Sequence, residues 1–330
     1  MLGTPPEKIS ILLSVVALVV SSAVGCSLAP SGSFDTASRI PDRGFSPWKV
    51  AALETCIDDH CDSGVGASIE SVGLRFDDEG FTVVAAIDGA LYLGTLDPAI
   101  GRLNLVSPPV LIPTASWQQS GLVDPTFLSS ATGLQILYAT ADGTALGAAT
   151  LKADGFVDGE APFATAASLG VSTVREPTAI SDDTSMLLAF SSADGIHALS
   201  GPSLGAFGPD RLILDAHAVV ASRWQDVDQV KDPDLVLLED GGIGLFFSGH
   251  ARVGDSKTRP DSSIGFAGSR DGTTFEAYAG NPVHDEVYNL IFHADETHPA
   301  VAFAAESGVM LVTSDRETEQ SLGLAVHEPR

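Results

Sequence analysis

The sequence predicts an all-β chain folded as a five-bladed β-propeller, and three observations carry that prediction. First, a short block recurs five times: a polar residue, a hydrophobic run, a turn, and a second hydrophobic run. The copies open at Glu70-Ser71, Asp124-Pro125, Glu176-Pro177, Asp232-Pro233 and His298-Pro299. Their starts lie 54, 52, 56 and 66 residues apart, near the size of one four-stranded blade. Second, the hydrophobic runs are short and broken by 33 Gly and 19 Pro. No segment past residue 30 keeps a helical period for three turns, which favours strands. Third, the runs are joined by hairpin chemistry such as Asp77 to Gly80 and Asp88-Gly89, where Asp-Gly tolerates the positive φ of tight turns.

Ahead of the repeats, Ile9 to Gly25 is apolar, follows Lys8 and ends in small residues before Cys26. That pattern reads as a secretory signal over residues 1–25. Ala23-Val24-Gly25-Cys26 resembles the bacterial lipobox, which implies acylation of Cys26 and a site in the cell envelope, periplasmic or at the cell surface. An uncleaved membrane anchor is the alternative. Residues 26–45 are rich in Ser, Pro and Gly and read as a flexible tether. Residues 46–64 carry Cys56 and Cys61, five apart. In an oxidising compartment this spacing reads as a local disulfide loop; a metal site using Cys56, His60 and Cys61 is the sharper alternative. The same segment is available to complete the last blade, whose fourth strand is short of residues. The propeller itself is assigned to residues 65–325.

The chain holds 43 Asp+Glu against 17 Lys+Arg, a formal charge of −26. Such a surface repels phosphate backbones and argues against nucleic acid as a partner. The membrane is expected to be met only through the N-terminal lipid, and the domain is expected to be a monomer.

Rotation about a propeller axis gathers the five polar openings at one mouth. Proline after the polar residue suits the first positions of a strand, where a missing N–H costs least. The crowded acids Glu70, Asp124, Glu176 and Asp232 repel one another, which raises at least one pKa and separates proton donor from base. Glycoside hydrolysis needs that division. On this reading Asp124 is base or nucleophile, Glu176 orients substrate, and Asp232 or Glu70 donates the proton. Arg175 holds a carboxylate ionised, and Glu70 and Arg175 also contact substrate. Trp117 and Trp224 precede Asp124 and Asp232 by seven and eight residues, and are expected near the mouth as sugar-stacking faces, with Gln118 and Gln225 bonding hydroxyls. Packing between blades is the alternative for both tryptophans. For the ring as a whole, the alternative is that its polar groups cap strand starts.

The five-blade count and the Asp-Pro openings resemble a clan of glycosidases that includes arabinanases, β-xylosidases, invertases and levansucrases. Asp124 in VDPTF is similar to the clan's Asp-Pro aspartate, and Arg175-Glu176-Pro177 to its Arg-Asp-Pro triplet. Ser269 to Phe275 resembles a hairpin common there. His298-Pro299 looks like the last-blade histidine of arabinanases, which implies an axial metal facing His298, with Ca2+ the candidate ion. No cofactor is otherwise required. The clan's general acid is normally Glu, whereas the matching place here holds Asp232.

Other features carry less. Asp226, Asp228, Asp232 and Asp234 form an oxygen-rich run suited to calcium, without an EF-hand's glycine or distal Glu. His250, His284 and His293 have no metal spacing and read as loop residues. Gly201 to Gly205 matches a nucleophile elbow by letter only, without strand-to-helix context. The expectation is an extracytoplasmic, glycosidase-like protein acting on plant- or microbe-derived glycan. A non-catalytic propeller binding glycan or a protein partner at the same mouth is the rival.

Overall fold

The computed structural model describes residues 49–51, 53–58, 60–62, 69–130, 132–182, 184–220, 224, 227–238, 241–251, 262–283, 295–304, 307–316 and 319–327. The expected leader 1–25, Cys26, the expected tether 26–45, Gln225, Asp226, His284 and His293 lie outside them. No helix among the described residues is long and apolar enough to cross a membrane.

Three short strands come first: β1 (Lys49–Ala51), β2 (Glu54–Ile57) and β3 (His60–Asp62). Blade one is β4 (Ile69–Asp77), β5 (Gly80–Ile87), β6 (Ala90–Asp97) and β7 (Arg102–Leu111). Blade two is β8 (Leu122–Ser130), β9 (Gly133–Thr140), β10 (Ala145–Lys152) and β11 (Gly155–Asp158), with β12 (Ala164–Thr165) also on β10. A one-turn helix α1 (Ala166–Leu169) leads into blade three: β13 (Arg175–Ser181), β14 (Met186–Ser192), β15 (Gly195–Gly201) and β16 (Arg211–Leu214). After α2 (Ala216–Val220), blade four is β17 (Val227–Leu237), β18 (Ile243–Ala251), β19 (Ser262–Ser269) and β20 (Glu276–Ala277). Blade five is β21 (Asp295–Ala304), β22 (Ser307–Arg316) and β23 (Glu319–His327).

Within blades every neighbouring pair is antiparallel, as short hairpin turns require. Because strands alternate faces, both faces of a blade are buried against its neighbours. On β14, Leu187 and Ala189 join a cluster with blade four, while Met186, Leu188 and Phe190 join one with blade two. Among the described residues each of the five blade interfaces holds its own apolar cluster.

The N-terminal segment divides between two blades. Strand β1 pairs antiparallel with β23, Lys49 opposite Val326, and gives blade five its fourth strand. Strand β2 instead runs parallel to β7, and the Cys56–Cys61 bonded hairpin of β2 and β3 widens blade one. Residues expected to belong to one covering segment therefore tie the last blade to the first around the rim. The disulfide commits both thiols, so the metal alternative at Cys56 and Cys61 does not apply.

Candidate functional site

Four of the five openings share one backbone device. On β8, β13, β17 and β21 the register shifts between Val123 and Thr126, Arg175 and Thr178, Lys231 and Asp234, and Thr297 and Ala300. These are β-bulges, and bulges re-aim side chains. The first bulged residue has left-handed φ in each: +53° at Asp124, +48° at Glu176, +52° at Asp232 and +49° at His298. Asp and His tolerate this region better than Glu does. The proline that follows has no N–H to leave unpaired. Together these features point the four side chains at the axis, where all four line one cavity.

Blade one departs from that pattern, and the expected place of Glu70 is corrected. Its shift falls between Ile69 and Ser71, one residue earlier, and neither Glu70 nor Ser71 has positive φ. Without a proline the bulge forms elsewhere, so Ser71 takes the ring position and lines the cavity beside Val72 and Gly73. Glu70 is not part of that lining but is close enough to Asp124 and Arg175 to feel their charge.

The cluster is tight. His298 Nε2 lies 3.5 Å from Asp232 Oδ1, 3.7 Å from Asp124 Oδ1 and 3.9 Å from Glu176 Oε1. Its Nδ1 meets the Thr297 and Thr313 hydroxyls at 3.0 and 3.2 Å. Arg175 donates from Nε to Asp124 Oδ2 at 2.6 Å, from Nη1 to the Ala141 carbonyl at 3.2 Å, and lies 3.8 Å from Glu176 Oε1. The Asp124 and Asp232 side chains are 3% and 1% exposed, and that of Glu176 12%. Two carboxylate oxygens, Glu176 Oε2 and Asp232 Oδ1, are buried without a hydrogen-bond partner. The cavity and the open space at its mouth together measure about 340 Å³.

These neighbours drive the acids apart. Burial, then the charges of Asp232 and Asp124, raise the Glu176 carboxyl to about 8, with His298 and Arg175 only partly offsetting them. For Asp232 burial acts upward too, but His298, Lys231 and Ser248 outweigh it and the carboxyl lies below its ordinary value. Burial opposes the His298 imidazolium, yet Asp232, Asp124 and Glu176 together raise it. Glu70 is raised by partial burial and by Asp88 and Asp124, against Arg175. The proton in the ring therefore sits on Glu176, rather than on Asp232.

The other expected residues divide. Neither tryptophan lines the cavity. Trp117 stacks on Tyr138 at 6.1 Å between blades one and two. Trp224 covers Gly249 and Gly265 so closely that a Cβ there would lie 2.5 and 2.8 Å from its ring, and it packs on Phe247. Both take the packing alternative because the apolar blade interface outcompetes the wet mouth for a large ring. Gln118 is buried as well, bonded to Tyr138, Asp158 and the backbone of Thr114 and Ala115. The acidic run does not converge: Asp228 is exposed, and Asp234 accepts from Val301 N–H at 2.6 Å and from the Thr178 hydroxyl at 3.2 Å, tying blade four to both neighbours. His250 belongs to β18 rather than a loop.

One donor atom each from Asp124, Glu176 and His298 lies within 4.8 Å of the others, near enough for a cation to bridge. The set offers two carboxylate oxygens and one imidazole nitrogen, short of the six to eight oxygens that Ca2+ takes. Asp124 Oδ2 is already spent on Arg175 and the Glu176 N–H, and Asp232 Oδ2 on the His298 N–H. Two cationic side chains stand where the ion's charge would act.

A five-bladed β-propeller with a buried carboxylate–histidine cluster at its axis is thus the class that fold and site define. No protein-family model matches the sequence, and no curated protein matches it at a significant level. Solved structures do. A thermostable family-43 glycoside hydrolase superposes with TM-score 0.59 at 13% identity, over 81% of this chain and 95% of that one. An α-L-arabinofuranosidase from Podospora anserina, in complex with cellotriose, gives 0.58 at 12%, over 86% and 98%. An endo-arabinase from Bacteroides thetaiotaomicron gives 0.57 at 10%, over 80% and 95%. At such identities the likeness establishes the fold.

The Glu176 shift has a signed consequence. Unfolded, its carboxyl ionises near the ordinary 4.5; folded, it keeps its proton to about 8. Between those values the folded state binds the extra proton, so stability falls as pH rises through the window. His298, raised above its ordinary 6.5, contributes stability that is full below 6.5 and is also lost as pH rises. Urea unfolding at pH 5 and pH 8 should show Glu176→Gln losing less stability than the wild type, by on the order of 2 kcal/mol. Equal losses in both proteins would mean that Glu176 ionises normally.

Proposed function

We propose that this protein is a glycosidase-like, carbohydrate-active propeller working at its axial mouth. The observation that carries the reading is the convergence of Asp124, Glu176 and Asp232 on one axial cavity, where their neighbours push Glu176 upward and Asp232 downward. Acid–base catalysis of glycoside cleavage needs a protonated and an ionised carboxyl facing one bond. Glu176 is assigned as proton donor to the leaving oxygen. Asp124, ion-paired with Arg175, is assigned as the attacking carboxylate, and Asp232 stabilises the His298 imidazolium. Donor oxygens of Asp124 and Glu176 lie no more than 4.8 Å apart. That is nearer the roughly 5–5.5 Å of retaining pairs than the roughly 6.5–9.5 Å that leaves room for water, so the proposed route is double displacement. The substrate class rests on the fold's likeness to arabinose-releasing and related hydrolases.

A second reading, glycan or protein binding without turnover, draws on Ser71, an uncharged group in the fifth ring position. Screening the purified domain on arabinan, xylan, fructan and aryl-glycosides separates the two. The proposal expects turnover that falls at least about a hundredfold in Glu176→Gln and Asp124→Asn and declines above pH 8 in the wild type. Sugar binding with no turnover supports the second reading, and turnover untouched by both substitutions removes the assigned roles.

From the leader-like sequence we propose that the protein works outside the cytoplasm, as a lipid-anchored monomer in a bacterial envelope. Labelled palmitate should enter the full-length protein and not Cys26→Ala; label in both proteins rules that anchor out.

A further inference from the structure

Ring members hand hydrogen bonds from blade to blade. The Asp124 N–H donates to Ser71 Oγ at 2.8 Å, the Glu176 N–H to Asp124 Oδ2 at 3.3 Å, and the His298 N–H to Asp232 Oδ2 at 3.3 Å. Each side chain thereby caps the strand start of the following blade. The step from blade three to blade four differs. There the Asp232 N–H donates to Ser191 Oγ at 2.9 Å, a buried hydroxyl on β14 opposite Arg175. Glu176, the ring member whose turn it is, keeps Oε2 buried and unpartnered. In blade two the residue matching Ser191 is Ala139, opposite Val123. With no hydroxyl at that place, the Asp124 carboxylate does the capping itself. In blade four the matching Ser248 Oγ is buried without a partner, and the shorter Asp232 side chain itself reaches the next N–H.

From this we infer that Ser191 is a positioning residue: by capping the Asp232 N–H it releases the Glu176 carboxyl from strand capping and keeps it available as the proton donor. The inference rests on the proposed role of Glu176 and deepens it. A carboxyl that accepts a backbone N–H is stabilised as the anion. A carboxyl spared that bond and faced by other anions keeps its proton. The groups facing Glu176 are Asp124 from β8, Arg175 from its own strand, Asp232 from β17 and His298 from β21. Glu70 of β4 lies beyond Asp124 and Arg175. Ser191 is uncharged, so its replacement removes none of these charges.

The test follows the Glu176 carboxyl carbon by NMR across a pH titration in the full domain, assigned with Glu176→Gln. In the wild type its midpoint is expected well above the ordinary carboxyl range. In Ser191→Ala, which copies Ala139 of blade two, the freed Asp232 N–H recruits Glu176 and the midpoint should fall by at least one pH unit. Ser191→Thr, which keeps the hydroxyl, should restore it. If Ser191→Ala does not fold, Ser191→Cys replaces it, because a thiol accepts only weakly. A high wild-type midpoint left unmoved by these variants overturns the role of Ser191 alone, even if they lower the melting temperature. A normal midpoint in the wild type overturns the proton-donor role of Glu176, and Ser191 with it.

Discussion

Three buried carboxyls drawn to one axis would expel one another's charge unless cations were built among them. At 3.5–3.9 Å from each carboxylate, the His298 imidazolium gains roughly 4 kcal/mol of Coulomb attraction per ionised partner at an effective dielectric near 20. Desolvation takes back part of that gain. Arg175 supplies a second positive charge at Asp124. Lys231 adds positive charge at Asp232, and Glu176 is the carboxyl left to keep a proton. Remove His298 or Arg175 and the ring must protonate further or open. The division of labour at the mouth therefore follows from charge counting, before any substrate is considered.

The fold and that balance depend on one another. Four left-handed bulges turn the ring residues inward, and such backbone costs on the order of 1–3 kcal/mol per residue. Apolar interfaces between blades hold the strands close enough to sustain it, and Asp234 ties blade four to Thr178 and Val301 directly beneath the ring. The rim closure by β1 and β2 joins last blade to first. A carboxylate ring of this tightness requires a closed circle of strands.

Much of this was legible in the sequence, for a definable reason. A blade is a local unit, so its polar opening, proline and turn recur at near-constant spacing. The blade count and the convergence of Asp124, Glu176, Asp232 and His298 could thus be read from position alone. Glu70 was misplaced because blade one has no proline to fix its bulge, and one residue of slip moved the ring role to Ser71. The sequence left the tryptophans open because mouth and blade interface are equally near in sequence, and only packing chooses between them. The proton's place on Glu176 depends on distances to charges from three other blades. Ser191 gave no sequence signal, since its task is to cap an N–H in a neighbouring blade.

Neutron diffraction from a deuterium-exchanged crystal near pH 6.5 would see the balance itself. The account predicts deuterons on the Glu176 carboxyl and on both His298 ring nitrogens, with Asp232 bare. A bare Glu176 facing a neutral imidazole, or a deuteron on Asp232 in its place, would contradict it.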